Sequence, residues 1–376
     1  MGWYTAGVRW LMIMMLVVAW GCSKSPDTKL PAKAPLEAAK AAQAELPAKP
    51  PLDVAKAARA ELRVLEDPGL WQLQNTVTDS GGQTNRNTAT TQVSWAVNGH
   101  CLLLETEINI GGQKAYELVV KHYDSSAITN HYRSTWFQND GLVRGFAGRW
   151  SPKQAPGRLS PKQALMEWEP IYLPSAPDDL GYRITEIFTG PREKQLHFQI
   201  TEKGKISVEG RSSAKRTGPY ARPTADPFPF SKELKRLGRD GIWKETQTVF
   251  ERGVTKDLEF LSRMRWSRGG KFLINEGVVD IEGTPKYFMW VKTWDTVDGV
   301  YRWAYFFQDG PVDHFTGYWD AAKQTITWHC VRPGLAIALR ESLLGPEKRS
   351  WVFEAQTTDG IVATGSGEIQ FQGKAE

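Results

Sequence analysis

The stretch Trp95–Asp124, WAVNGHCLLLETEINIGGQKAYELVVKHYD, returns without a gap at Trp266–Asp295 as WSRGGKFLINEGVVDIEGTPKYFMWVKTWD. Ten of the thirty positions are identical, where unrelated segments would share about two, so the chain reads as two diverged copies of one unit. The repeat extends both ways. Glu61-Leu62-x-x-Leu65 and Gly69-Leu70-Trp71 match Glu233-Leu234-x-x-Leu237 and Gly241-Ile242-Trp243. Downstream, Tyr132-Arg133 matches Tyr301-Arg302, Asp140-Gly141 matches Asp309-Gly310, and Phe146-x-Gly148-x-Trp150 matches Phe315-x-Gly317-x-Trp319. A local duplication, Ser151–Ala155 repeated as Ser160–Ala164, interrupts the first copy, and its removal brings Trp168 onto Trp328.

Each copy is a series of short β-forming runs separated by turn signals, about ten between residues 71 and 214 in the first. Gly111-Gly112 and Asp140-Gly141 read as hairpin connections. Consecutive hairpins with few helical periods favour an up-and-down barrel over a Greek-key sandwich. The expected fold is therefore all-β: two tandem antiparallel barrels of about ten strands, each preceded by a short helix.

The alternation in the first hairpin suggests a register. With Leu102, Leu104, Thr106, Ile108 and Ile110 facing inward, Tyr116, Leu118 and Val120 would join them. That register sends Glu105 and Lys121 outward as a surface ion pair, and likewise Glu276 and Lys292 in the second copy.

Composition sets the compartment. The 376 residues are 41% hydrophobic and 24% charged, as in a globular chain with room for two domains. The net charge of +5 is scattered, without a basic stripe, so nucleic acid is not an expected partner. Arg9 precedes an apolar run over residues 10–19, a signal-peptide core too short to span a membrane comfortably. Cys22, directly after Gly21, resembles the lipobox cysteine of bacterial lipoproteins, although Ala19 and Trp20 depart from the usual pattern. The resemblance implies lipid attachment at Cys22, and a membrane-anchored envelope protein facing the periplasm or exterior; plain secretion is the alternative. The expected layout is a signal peptide (1–21), an Ala/Pro/Lys-rich tether (22–57), barrel one (58–212), a Pro-rich linker (213–229) and barrel two (230–373). Cys101 and Cys330 stand at non-equivalent positions, and two buried thiols are expected in preference to a disulfide.

The short helix, the Gly-x-Trp opening each first strand, Gly269-Gly270-Lys271-Phe272-Leu273, Trp294-Asp295, Asp309-Gly310 and Gly317-x-Trp319-Asp320 resemble a bacterial lipocalin-like (calycin) domain family. The first copy keeps this frame with Ser151 for the aspartate and Cys101 for Phe272. The resemblance implies closed barrels with a small-molecule cavity and no established chemistry.

Candidate residues follow from the sixteen tryptophans. Four pairs are shared between the copies: 71/243, 95/266, 150/319 and 168/328. Rings at equivalent positions usually pack a core or plug a barrel end. The second copy adds Trp290, Trp294, Trp303, Tyr305 and Trp351. A ligand, if one binds, is thus expected in residues 230–373, against Trp266, Trp290, Trp294, Arg302, Trp303, Tyr305, Trp319 and Trp328. Arg133 and Arg302 suit either an anion contact or, as lipocalin-type barrels imply, an Arg–Trp contact across the closed end.

None of the six histidines has a partner at the equivalent position of the other copy, no zinc-site spacing occurs, and no cofactor or metal is expected. No nucleophile elbow, phosphate loop or metalloprotease helix is present. Asp124 with Asp140, or Asp295 with Asp309, would be candidate glycosidase pairs, but strand ends and Asp-Gly turns account for all four. The expectation is a non-enzymatic binder of a small apolar or glycan-like molecule. A structural envelope protein with filled barrels is the alternative, and an extracytoplasmic hydrolase stands behind both.

Overall fold

The computed structural model describes residues 62, 65, 68–124, 132–151, 164–173, 180–190, 192–219, 232–251, 253–281, 283–308, 312–332 and 335–374. The leader, Cys22 and the tether lie outside these residues, as do Asp309 and most of the linker. Barrel one is a ten-strand meander: β1 (Gly69–Asp79), β2 (Thr84–Ala96), β3 (Cys101–Ile110), β4 (Gln113–Tyr123), β5 (Tyr132–Phe137), β6 (Val143–Ser151), β7 (Ala164–Tyr172), β8 (Leu180–Gly190), β9 (Glu193–Glu202) and β10 (Lys205–Gly218). Barrel two follows a short helix α1 (Lys232–Lys235) with β11 (Gly241–Glu251), β12 (Val254–Trp266), β13 (Leu273–Ile281), β14 (Thr284–Asp295), β15 (Val300–Phe307), β16 (Asp313–Asp320), β17 (Thr325–Arg332), β18 (Leu335–Leu343), β19 (Lys348–Thr357) and β20 (Gly360–Gly373). Each strand pairs antiparallel with its sequence neighbours, and the first strand pairs with the tenth, so both sheets close. The fold class is as the sequence indicates. β10 runs on to Gly218, so the first barrel's closing strand takes in residues whose composition reads as linker.

Helix α1 seals one end of barrel two: Leu234 and Leu237 are fully buried in its core with Trp243, Tyr301 and Trp328. Leu62 and Leu65 take the same place beneath barrel one with Trp71 and Trp168. The Gly-x-Trp motif has a packing cause. Gly148 pairs with Trp168 and Gly317 with Trp328 across adjacent strands. A β-carbon at either glycine would lie 2.6–2.7 Å from that indole ring, so only glycine lets the ring lie across the sheet.

The first hairpin corrects the expected register. Leu102 pairs with Lys121, Leu104 with Val119 and Thr106 with Glu117, so Lys121, Val119 and Glu117 are the inward side chains of β4. Tyr116, Leu118 and Val120 point out, yet all are buried, because they meet Phe272, Ile274, Met289 and Val291 of barrel two. Both faces of this hairpin are covered, so hydrophobicity does not distinguish inside from outside, and a one-residue slip exchanges every side chain. Glu105 and Lys121 are therefore on opposite faces and form no surface pair; nor do Glu276 and Lys292.

The contact between barrels is close to two-fold symmetric. Leu103, Leu118 and Val120 face a cluster containing their own repeat equivalents, Ile274, Met289 and Val291. Glu105 accepts the backbone N–H of Arg268 at 2.8 Å, and Glu276 accepts that of Val97, the equivalent residue, at 3.3 Å. Arg265 adds an ion pair to Glu105 at 2.9 Å. The geometry is that of an isologous dimer carried on one chain. Cys101 is buried at this contact and Cys330 in the core of barrel two, both as thiols.

Candidate functional site

Inside each barrel lies one buried carboxylate between two cations. In barrel one Glu186 (β8) accepts two bonds from Lys121 (β4), at 2.8 and 2.9 Å, and one from Lys194 (β9) at 3.2 Å. The indole N–H of Trp168 (β7) donates to the same group at 3.0 Å. Barrel two repeats the arrangement. Glu341 (β18) accepts from Lys292 (β14) at 3.0 Å, Arg349 (β19) at 2.6 Å and the indole of Trp328 (β17) at 3.1 Å. Burial opposes ionisation of Glu341, but Lys292 and Arg349 outweigh it and hold its carboxylate down at about 2. Burial lowers the Lys292 ammonium, with Glu341 acting against that. The shared Trp168/Trp328 pair is thus core and also part of a charge-assisted network.

A second carboxyl faces each cluster. Glu117 in β4 lines the cavity of barrel one, where burial pushes its pKa up to about 7 and Arg144 pulls the other way. Glu245 in β11 lines that of barrel two, also pushed to about 7 by burial, with Arg349 and the Trp351 indole opposing. In barrel two several donors have no hydrogen-bond partner among the described residues: Nε and Nη2 of Arg349 and the indole N–H of Trp303.

The free volume is distributed unequally. Barrel one holds a chamber of about 320 Å³ near the end away from Leu62, lined by Leu73, Val77, Ala89, Ile108, Trp136, Phe146 and others. Beneath it a space of about 80 Å³ reaches Lys121, Glu186 and Lys194, and the two share Glu117, Trp136 and Ser212. Barrel two keeps about 60 Å³ around Glu245, Lys292, Trp303, Glu341 and Arg349. The aromatic surplus that pointed to barrel two is what fills it: Trp290 replaces Val119, Phe288 replaces Glu117, Phe260 replaces Ala89 and Trp351 replaces Leu196. The larger chamber is in barrel one. A wider groove of about 620 Å³ runs outside barrel two, but residues such as Thr246, Thr248, Asp257 and Glu368 line it rather than a buried cluster.

The sequence-derived candidates separate into three groups. Trp290, Trp303 and Tyr305 line the cavity of barrel two, and Trp328 lies in the core beside Glu341. Trp266, Trp294 and Trp319 are partly buried against that core, and the Arg236 guanidinium lies 4.8 Å over the Trp319 ring. Arg302 is outside the cavity, bound to Asp295 at 3.0 Å and to Thr316 at 2.8 Å. Arg133 likewise meets Asp124 at 3.3 Å, so the shared Tyr-Arg and the strand-ending aspartate pin one hairpin in each copy. The cations stacked on the end tryptophans are Arg349 over Trp243 at 4.9 Å and Lys194 over Trp71 at 5.8 Å. Asp140 caps its own turn by accepting the N–H of Leu142. Glu186, Glu341, Lys194 and Arg349 were not singled out. Pairing them in the alignment takes a further five-residue gap, since the offset between copies falls from 160 at Trp168/Trp328 to 155 at Glu186/Glu341 and Lys194/Arg349. Among the described residues no group of three or more histidines, cysteines and acids is placed to hold a metal.

No protein-family model and no curated protein matches the sequence. Among solved structures, a protein of unknown function from the DUF3598 family of Nostoc punctiforme aligns over 84% of this chain and 98% of its own at 9% identity and TM-score 0.24. The S-type phycobiliprotein lyase of Guillardia theta aligns over 43% of this chain and 97% of its own, at 10% identity and TM-score 0.29. Kievitone hydratase from Nectria haematococca aligns over 81% and 89%, at 10% identity and TM-score 0.19. At these scores the likenesses carry no argument about ligand or activity.

Proposed function

We propose that barrel one is a non-enzymatic carrier of a small, mainly apolar molecule bearing one polar group, held at the cell envelope by a lipid on Cys22. The chamber of about 320 Å³ carries the reading, since its volume lies in the range of ligand sites and its walls are mostly apolar. At its base Glu117 and the Ser212 hydroxyl, which has no partner among the described residues, offer hydrogen bonds to a polar end. Barrel two, packed by its own rings, suits a structural role beside it.

The test is a titration of the full chain with fluorescent medium-chain alcohols and acids, read through Trp136 in the chamber wall. Ala89→Phe, which copies Phe260 of barrel two, is expected to fill the chamber and weaken binding by at least about tenfold, at about 1–3 kcal/mol of overpacking. Equal binding in the folded variant would refute the carrier reading. Labelled palmitate entering the wild-type chain but not Cys22→Ser tests the anchor.

A further inference from the structure

Arg349 is buried with one of its nitrogens on Glu341 and its Nε and Nη2 unpartnered among the described residues. The Trp303 side chain lines the same cavity of about 60 Å³, and its indole N–H is also unpartnered among the described residues. Buried donors left without acceptors are costly, and a guanidinium edge presents two parallel N–H groups that fit a planar oxyanion. The space would hold roughly four waters, or one ion of three or four heavy atoms.

We propose that barrel two binds one small planar anion, of the size of formate or nitrate, on the free edge of Arg349 and the indole N–H of Trp303.

Charge supports this. Lys292 and Arg349 bring two positive charges and Glu341 one negative. Glu245 is the remaining acid, and its raised pKa keeps it mostly protonated below neutrality, so that with Lys292 ionised, which burial opposes and Glu341 supports, the cluster carries one net positive charge. The groups facing Glu245 are Lys292 on β14, Tyr305 on β15, Glu341 on β18, and Arg349 and Trp351 on β19. Tyr305, with Asp313 acting on it from beyond, is pushed well above its ordinary value by burial and stays neutral. Phe260 and Ile369, opposite Glu245 on the flanking strands, are apolar. An anion and an ionised Glu245 would both neutralise the cluster, so each disfavours the other. Barrel one lacks the site, having Leu73, Ser134 and Lys194 where barrel two has Glu245, Trp303 and Arg349. The inference is independent of the carrier reading, and Ala89→Phe leaves it standing.

Calorimetry of the full chain with sodium formate and with sodium nitrate, in a buffer free of small anions, tests it. One ion per chain is expected, bound about tenfold more tightly at pH 6 than at pH 8, because Glu245 must take up a proton. Neither probe titrates in that range. Glu245→Gln should bind at pH 8 as the wild type does at pH 6. Arg349→Gln should lose at least about tenfold in affinity while its tryptophan emission still reports a folded chain. Absence of heat from both anions at pH 6 would overturn the proposal. So would a pH dependence that survives in Glu245→Gln, or full affinity in folded Arg349→Gln; if that variant does not fold, the Glu245→Gln result decides.

Discussion

In barrel one the Lys121 ammonium lies 5.8 Å from the centre of the Trp168 indole ring. In barrel two its equivalent, Lys292, sits 4.7–4.9 Å from three, those of Trp290, Trp303 and Trp328. The carboxylate, the first lysine and the donating tryptophan are otherwise the same, with Arg349 standing where barrel one has Lys194. One ion cluster has been kept in two surroundings, a chamber with space and a nearly filled box. The difference teaches that aromatic content measures filling as readily as it measures ligand binding. The face of a ring stacked on the protein's own lysine is not open to a guest, and in barrel two that lysine covers three such faces.

The largest effect that separates the barrels should come from removing the shared acid. Glu341→Ala leaves Lys292 and Arg349 buried without a counter-charge, and a cost of about 3–5 kcal/mol is expected in urea denaturation. Glu186→Ala should cost less, because Lys194 keeps 11% of its side chain exposed where Arg349 keeps 2%, and can turn to water. Equal losses would mean that the aromatic box around Lys292 adds nothing. Replacing all three ions of barrel one together, as Lys121→Met, Glu186→Leu and Lys194→Met, should be close to neutral, since the cost lies in an unpaired ion rather than in the absence of the cluster.

A second comparison lies between the barrels. Leu118 and Met289 are repeat equivalents, both fully buried in the shared contact. Leu118→Ala and Met289→Ala should each cost about 2–4 kcal/mol. In the double variant the losses should fall short of their sum, because the two cavities merge on the pseudo-two-fold axis. Strict additivity by thermal or urea unfolding would show that they do not share a packing site. Hydrogen exchange in β4 and β14 should rise in either single variant.

The sequence carried the architecture because the turn glycines and repeated tryptophans are local signals, and most of them recur in both copies, as Gly112 does in Gly283 and Gly148 in Gly317. The Asp-Gly turn before β6 and the Gly148/Trp168 pair are cases where the residue type alone implies the geometry. What could not be read was which side of β4 faces inward. Leu118 and Val120 look like core, and they are buried, but between barrels rather than within one. Lys121 looks like surface, and it is fully inside. Its partner Glu186 is 65 residues away, so no local pattern announces the pair. The chamber was hidden for a related reason: space is made by small residues such as Ala89, and an absent side chain leaves no motif.

The smallest expected effect isolates the extra acid of barrel two. Glu245 is pushed to about 7 in the folded chain from an ordinary value of 4.5, by burial first and by Glu341 in lesser part. A carboxyl whose folded pKa is raised favours the folded state at low pH. That stability is fully present below about pH 4.5, declines as pH rises, and is gone above about 7. Glu245→Gln removes the titration, so the variant should match the wild type near pH 4.5 and exceed it at pH 8. Glu245 lines the cavity of about 60 Å³, so the gain is set at about 1–2 kcal/mol rather than the full shift. Leu73 at the equivalent place in barrel one has no such dependence, and Leu73→Gln should show none. Urea unfolding at the two pH values gives the difference directly. A gain at pH 4.5 equal to that at pH 8 would mean that Glu245 is strained by packing, not by charge.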